Sequence, residues 1–174
     1  TSINPTKPLH IGHGRNALIG DTTARVLSAL GYDVEVQNYI DDLGLQVAQT
    51  LQAYQTIKRK PRTKLDHMLG LLYVEINHRL EQNPKLENRV KEILSQLELG
   101  AGKVPRLARQ LSERCVKANL ETTDRLGVCY DLLVLESDIA RSGMLQEALD
   151  RLRSTPHVIQ GTGGKAGRVS LRLR

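Results

Sequence analysis

The 174-residue chain is long enough for one domain with a real core, or for one domain with a small appendage. No run of about 18 apolar residues occurs and the N-terminus lacks a signal-peptide layout, so a helical membrane span is excluded and a soluble, cytoplasmic protein with no membrane partner is expected. Lys and Arg number 25 against 19 Asp and Glu, a net charge of +6 that favours a polyanionic partner such as nucleic acid or a nucleotide; the absence of Phe and Trp argues against base stacking and leaves the core to Leu, Val, Ile and Ala.

Thr1 to Asn4 is β-like and reads as the end of a strand, after which Pro5 and Pro8 hold the backbone out of helix as far as His10. Two histidines, His10 and His13, then enclose Gly12 just ahead of a helical pattern. A glycine there lets backbone approach a ligand, and the helix N-terminus offers N–H groups and a positive dipole end to an anion. Imidazole donors add to such a phosphate cradle, although the same spacing also suits a simple capped turn. From Arg15, the residues Leu18, Ile19, Val26, Leu27 and Leu30 recur at helical spacing, and Gly31 ends the pattern.

Asp33 to Ile40 alternates as a strand, which completes a βαβ unit. In such a unit ligands bind at the carboxyl ends of the strands, so the His10–His13 turn and the Asp41–Gly44 turn are expected to face one cleft. A second helix carries Leu43, Val47, Leu51 and Tyr54 on one face, with Gln46 in its first turn near the same opening.

Lys58 to Lys64 is a basic run broken by Pro61, readable as a solvated linker or as a contact for nucleic-acid phosphates. Three helical stripes follow: Leu65, Leu69, Leu72, Ile76 and Leu80; Leu86, Val90, Ile93 and Leu97; and Val104, Leu107, Leu111, Cys115 and Ala118. His67 and His78 stand at no metal-ligand spacing, and no metal site is expected. Cys115 and Cys129 lack a CxxC or Cys/His pattern and read as two small buried residues in a reducing compartment.

Gly127 ends the third helix and Val128 to Leu135 reads as a strand, with Glu136, Ser137 and Asp138 as a polar turn rather than an acid–base pair. Met144 to Arg153 forms a short helix, and His157–Gln160 with Arg168–Leu173 form two strands around GTGGKAG, residues 161–167. That loop lacks P-loop spacing and has Ala166 where a magnesium-binding hydroxyl would stand. The expected organisation is 1–57, 58–126 and 127–174.

His-Ile-Gly-His resembles the HIGH motif of class I aminoacyl-tRNA synthetases. Its context, N-P-T-K-P-L-H-I-G-H-G-R-N with Asn4, Lys7, Leu9, His10, Gly12, His13 and Arg15, resembles arginyl-tRNA synthetases in particular. A second stretch, L-G-V-C-Y-D-L-L-V-L-E-S-D-I, resembles the same family far from the first. The resemblance spans nearly all of the chain and implies an α/β fold: the first half of a Rossmann-like, HIGH-type nucleotide-binding domain (1–57), a helical insertion (58–126) and a small α/β segment of that insertion (127–174). An excised fragment or a natural truncated relative is expected.

The resemblance further implies an ATP-dependent ligase that forms arginyl-adenylate and transfers arginine to tRNA, with ATP bound as its Mg2+ complex and the protein acting as a monomer. On that reading Lys7, His10 and His13 are catalytic; Lys7, Leu9, His10, Gly12, His13 and Asn16 meet ATP; and Ser2, Asn4, His13, Asp42 and Gln46 meet arginine. Lys7 takes the place of a KMSKS lysine, and Gly12 lets adenine and ribose lie against the backbone. No KMSKS-like loop, no acidic residue before Ser2 and no later arginine-binding tyrosine, aspartate and glutamine are present, so only the ATP half-site is expected here. The alternatives are a truncated synthetase-like paralogue or tRNA-binding module without catalysis, and a small HIGH-type nucleotidyltransferase. A cysteinyl enzyme would need a zinc-binding cysteine set, and the two cysteines do not supply one.

Overall fold

Three short parallel strands bring the chain's polar turns to one edge: β1 (Ser2–Ile3), β2 (Gln37–Ile40) and β3 (Leu132–Leu135), in the order β1-β2-β3. Ser2 pairs with Tyr39, and Gln37 through Ile40 pair with Leu132 through Leu135. The structure, a computed structural model, describes residues 2–58, 63–155, 158–160 and 169–171. Its contacts divide the chain into two units, Thr1–Ser137 and Asp138–Arg174.

In the first unit, helix α1 (Ile11–Ala29) connects β1 to β2, and helices α2 (Leu45–Thr56), α3 (Leu65–Gln82), α4 (Pro84–Leu99) and α5 (Lys103–Asp124) connect β2 to β3. Parallel pairing means that the residues following each strand, Asn4, Asp41 and Glu136, all emerge at the same edge. This is the α/β, partly Rossmann-like arrangement expected from the sequence.

Strands β2 and β3 are shorter than the alternation suggested. The Asp131 carboxylate accepts the Val36 N–H at 2.8 Å, and the Asp131 N–H donates to the Val36 carbonyl at 2.9 Å. A side chain thus occupies the place of a ladder partner, and regular pairing starts only at Gln37.

The helical stripes form the core as their 3.6 period requires. Val47 and Leu51 of α2, Leu69, Leu72 and Ile76 of α3, Val90, Ile93 and Leu97 of α4, and Leu111 and Cys115 of α5 are buried together. Helix α4 has clear punctuation: the Asn83 side chain accepts the Lys85 N–H at 3.1 Å, Pro84 opens the first turn, and Gly100 closes the helix in the left-handed region.

Helix α1 departs from expectation. Of its residues only Ala17 is buried, whereas Val26 is 53% exposed and Leu30, its C-cap, 69%. Cys129, read as buried, is exposed as well; Cys115 is buried as expected. Periodicity identifies an apolar face but not whether another element covers it.

Helix α6 (Glu136–Arg141) starts with the last two residues of the first unit, Glu136 and Ser137; in the second unit α7 (Met144–Arg153) follows, and β4 (Val158–Gln160) pairs antiparallel with β5 (Val169–Leu171). Residues 59–62 of the basic run and the 161–167 glycine-rich loop lie outside the described residues.

The contrast between the two kinds of apolar face is measurable. Leu72→Ala should cost about 2–5 kcal/mol in urea unfolding, as expected for a buried leucine. Val26→Ala should stay within about 0.5 kcal/mol, as for a surface position.

Candidate active site

The N-terminus of α1 is capped by imidazoles. His10, the N-cap residue, accepts the Gly12 N–H on Nδ1 at 3.1 Å, and His13 accepts the His10 N–H on its own Nδ1 at 3.2 Å. This is the reciprocal logic of a capping box, with histidines where Ser and Glu usually stand. Because each Nδ1 is an acceptor, a neutral ring at either position carries its proton on Nε2 and can present that N–H to an incoming group. The rings stack with centroids 3.9 Å apart.

The first-turn amides are mostly occupied internally. Gly12 N–H serves His10, while His13 N–H and Gly14 N–H both donate to the His10 carbonyl. The donors available to an anion are therefore the imidazole Nε2–H groups, more than the bare amides that the sequence pattern suggested. Gly12 has a related function in the cap: an added Cβ would stand 2.9 Å from His10 Cε1. A side chain at position 12 would displace the ring that caps the helix.

Burial lowers the His13 pKa, and the charges of His10 and Lys7 lower it further. Lys7 and the two histidines thus lie near one another. The Lys7 ammonium sits over the Tyr73 ring, 5.8 Å from its centroid. The Lys7 backbone meets the Cys115 sulfur, whose thiol is pushed up to about 12 by burial and then by the charge of Asp66.

Across the strand ends lie the carboxylates. Asn4 Nδ2 donates to Asp41 Oδ2 at 2.6 Å, which joins the end of β1 to the end of β2. Asp42, expected to face arginine, is instead buried, and it accepts from the Ser137 N–H at 2.8 Å and the Ser137 hydroxyl at 2.6 Å. Arg109 donates to the same hydroxyl oxygen at 3.1 Å.

Glu136 adjoins this pair. Burial, then its hydrogen bond with Asp41 and the charges of Asp41 and Asp42, raise its carboxyl to about 7, against a smaller opposing effect of the Tyr39 hydroxyl. Burial and the Glu136 charge raise the Tyr39 pKa in turn.

A cavity of about 430 Å³ opens beside Asp41, lined by Asn4, Gln46, Gln49, Tyr73 and Asn77 among others. Gln46 Oε1 is buried there with no hydrogen-bond partner among the described residues, and Gln49 donates to Asn77 at 3.3 Å.

The structure therefore groups Lys7, His10, Gly12 and His13, and separately joins Asn4 to Asp41 beside Gln46. Ser2 is exposed on β1, Leu9 is half-buried ahead of the cap, and Asn16 is exposed on α1. Tyr39 and Tyr73 were not singled out from sequence, Asp41 entered only as part of the Asp41–Gly44 turn, and Glu136 was read as part of a polar turn. The position of Glu136 immediately after a strand, in a parallel sheet, was the available signal for it.

Parallel strands with an imidazole-capped helix at their carboxyl ends define the nucleotide-binding half-fold of a class I synthetase. The family described as tRNA synthetases class I (R), catalytic domain, matches residues 1–169. Among relatives, arginine–tRNA ligase of Thermococcus kodakarensis is 47% identical over 95% of this chain and 28% of its own length. That of Deinococcus radiodurans is 46% identical over 95% of this chain and 26% of its own length. The Thermus thermophilus arginyl-tRNA synthetase structure matches 98% of this chain and 28% of that chain, at 41% identity and a TM-score of 0.78. The chain belongs to the class I arginyl-tRNA synthetase catalytic-domain family, and it spans just over a quarter of the length of these relatives.

The site sets two pH dependences. A His13 pKa below the ordinary 6.5 makes stability decline as pH falls below that value toward the folded-state pKa, since protonation of Nδ1 cancels the cap. Urea melts from pH 8 to 5 should show this fall, and His13→Ala should flatten it. For Glu136 the sign is opposite: its contribution falls as pH rises from about 4.5 to about 7, because the folded state holds a proton that the unfolded chain has lost. Glu136→Gln should therefore gain most over the wild type above pH 7.

Proposed function

We propose that this chain forms the ATP-facing part of an arginyl-tRNA synthetase active site, together with part of its arginine-facing wall. The observation that carries the reading is the double imidazole cap, which engages both Nδ1 atoms and leaves two stacked rings with Nε2 free to donate where a parallel sheet delivers its ligands. ATP would bring its own Mg2+. Among the described residues, no group of three His, Cys, Asp or Glu is placed to hold a metal ion.

In the complete enzyme the arginine carboxylate would attack the α-phosphorus of ATP, forming one O–P bond as the bond to pyrophosphate breaks. A terminal ribose hydroxyl of tRNA would then attack the arginyl carbonyl of the adenylate, forming an ester as the bond to AMP breaks and AMP leaves. His10 and His13 would donate to the phosphate oxygens, where positioned donors are worth most as charge develops, and Lys7 would supply a point charge to the leaving phosphates. Leu9, Gly12 and Asn16 would adjoin the nucleotide.

Arginine calls for acceptors, since a guanidinium has five N–H donors and no acceptor. Asp41, held by Asn4, and Glu136 supply carboxylate oxygens at the strand ends, with Ser2, His13 and Gln46 nearby in the sequence-based assignment. Asp42 serves this wall indirectly, through Ser137. The enzyme would act as a cytoplasmic monomer, and pyrophosphate exchange by these 174 residues alone would be feeble.

Calorimetric titration of the chain with Mg-ATP tests the assignment. His13→Ala should weaken binding by on the order of 10- to 100-fold, the value of one hydrogen bond to a charged group, about 1.5–3 kcal/mol. Equal affinity of the two proteins would overturn it.

A further inference from the structure

Helix α3 carries two stripes. One is the leucine stripe of the core; the other, Asp66, Gly70, Tyr73 and Asn77, recurs at i, i+4, i+7 and i+11 and so lies along one face. Three members of this second stripe have contacts with the segment before α1 or with α2. Gly70 lies so close to Pro8 that an added Cβ would stand 2.8 Å from the proline Cδ and 3.6 Å from the Lys7 Cβ. One turn on, the Tyr73 ring underlies the Lys7 ammonium at 5.8 Å, and Asn77 accepts from Gln49 of α2. From α5, the Cys115 sulfur meets the Lys7 backbone.

We infer that Tyr73 is a positioning residue for Lys7: its ring holds the ammonium toward the phosphate end of the nucleotide site, and Gly70 permits the close helix approach that brings the ring there. The inference rests on Lys7 facing the phosphates, as proposed above.

The physics is that of a cation over an aromatic face. Within about 6 Å the ring quadrupole attracts the charge, and the flexible four-carbon stem of lysine loses rotamer freedom before the ligand arrives. A point charge placed in advance spends less of its binding energy on being ordered. The ring matters here and the hydroxyl does not, so Phe should replace Tyr while an aliphatic residue of similar bulk should not. Gly70 acts by a different route, since its substitution moves the Pro8 ring, a rigid group that cannot swing aside.

Two readouts on the 174-residue chain separate this inference from the phosphate reading. The first is the Lys7 Hε–Cε NMR signal, assigned with Lys7→Arg. It should be shifted upfield by the ring in wild type and Tyr73→Phe, and revert in Tyr73→Leu. The second is Mg-ATP affinity by calorimetry, which should fall about five- to tenfold in Tyr73→Leu and stay within about twofold in Tyr73→Phe. Gly70→Ala should reproduce the affinity loss with the Tyr73 ring intact. An unshifted Lys7 signal in the wild type overturns the inference, and so does wild-type ATP affinity in Tyr73→Leu. A shifted Lys7 in a chain that binds no ATP upholds the contact and overturns the phosphate reading instead.

Discussion

The buried carboxylate of Asp42 is the constraint on which the site's acidic wall depends. It accepts two hydrogen bonds from Ser137, 95 residues away, and thereby fixes the end of β2 to the first turn of α6, after β3. Arg109 of α5 donates to the Ser137 hydroxyl oxygen, so the helical segment supports the same joint. Asp41 and Glu136 are the immediate chain neighbours of this pair, and the tether leaves them beside each other. Burial raises the Glu136 pKa most, and two carboxylates so placed, which cannot both ionise freely, raise it further. The structural hydrogen bond one residue away thus adds the Asp41 and Asp42 contributions to the effect of burial. Removing only one partner of that bond would leave a buried charge or hydroxyl unsatisfied, which costs more than replacing both.

The opposite side of the site is held by capping rather than burial. Helix α1 has a single buried residue, and helices gain most of their stability in proteins from a packed face. What fixes this one includes the histidine capping box at its start, and Arg25, which pairs with Asp21 at 2.7 Å and donates to the Gly127 carbonyl at 3.0 Å. The groups that would meet phosphate are therefore the same groups that hold the helix end. A change in protonation of His13 alters both at once, because Nδ1 cannot be both protonated and a hydrogen-bond acceptor.

Much of this was legible from residues alone, for a physical reason. Long helices with a buried stripe repeat one signal over several turns, so α3, α4 and α5 and their core residues could be read directly. The βαβ unit followed from chain order. Strand limits were not legible, because the Asp131 side chain ends the pairing where alternation would have continued it. Asp41 and Asp42 illustrate the finest limit. Adjacent residues at a strand end point to opposite sides, so the choice between them decides which carboxylate faces the cavity, and only the Ser137 contact settles it. Gly12 was marked in the sequence as a glycine that lets a ligand approach the backbone, and the structure places the His10 ring against it.

The helices between β2 and β3 bear on the chemistry as well as on the core. A crossover needs only to return the chain to a parallel neighbour, and one helix is sufficient for that. Four are present among the described residues, and three of them reach the strand ends: α2 through Gln46 in the cavity lining, α3 through Tyr73 and Gly70, and α5 through Cys115 and Arg109. The core residues Leu69, Leu72 and Ile76 fix the rotation of α3, and that rotation decides where Gly70 and Tyr73 point. Packing of the leucine stripe therefore sets the position of Lys7 through the rotation of α3. A core substitution that turned α3 by a fraction of a turn would act on the setting of Lys7 without changing any residue that touches it.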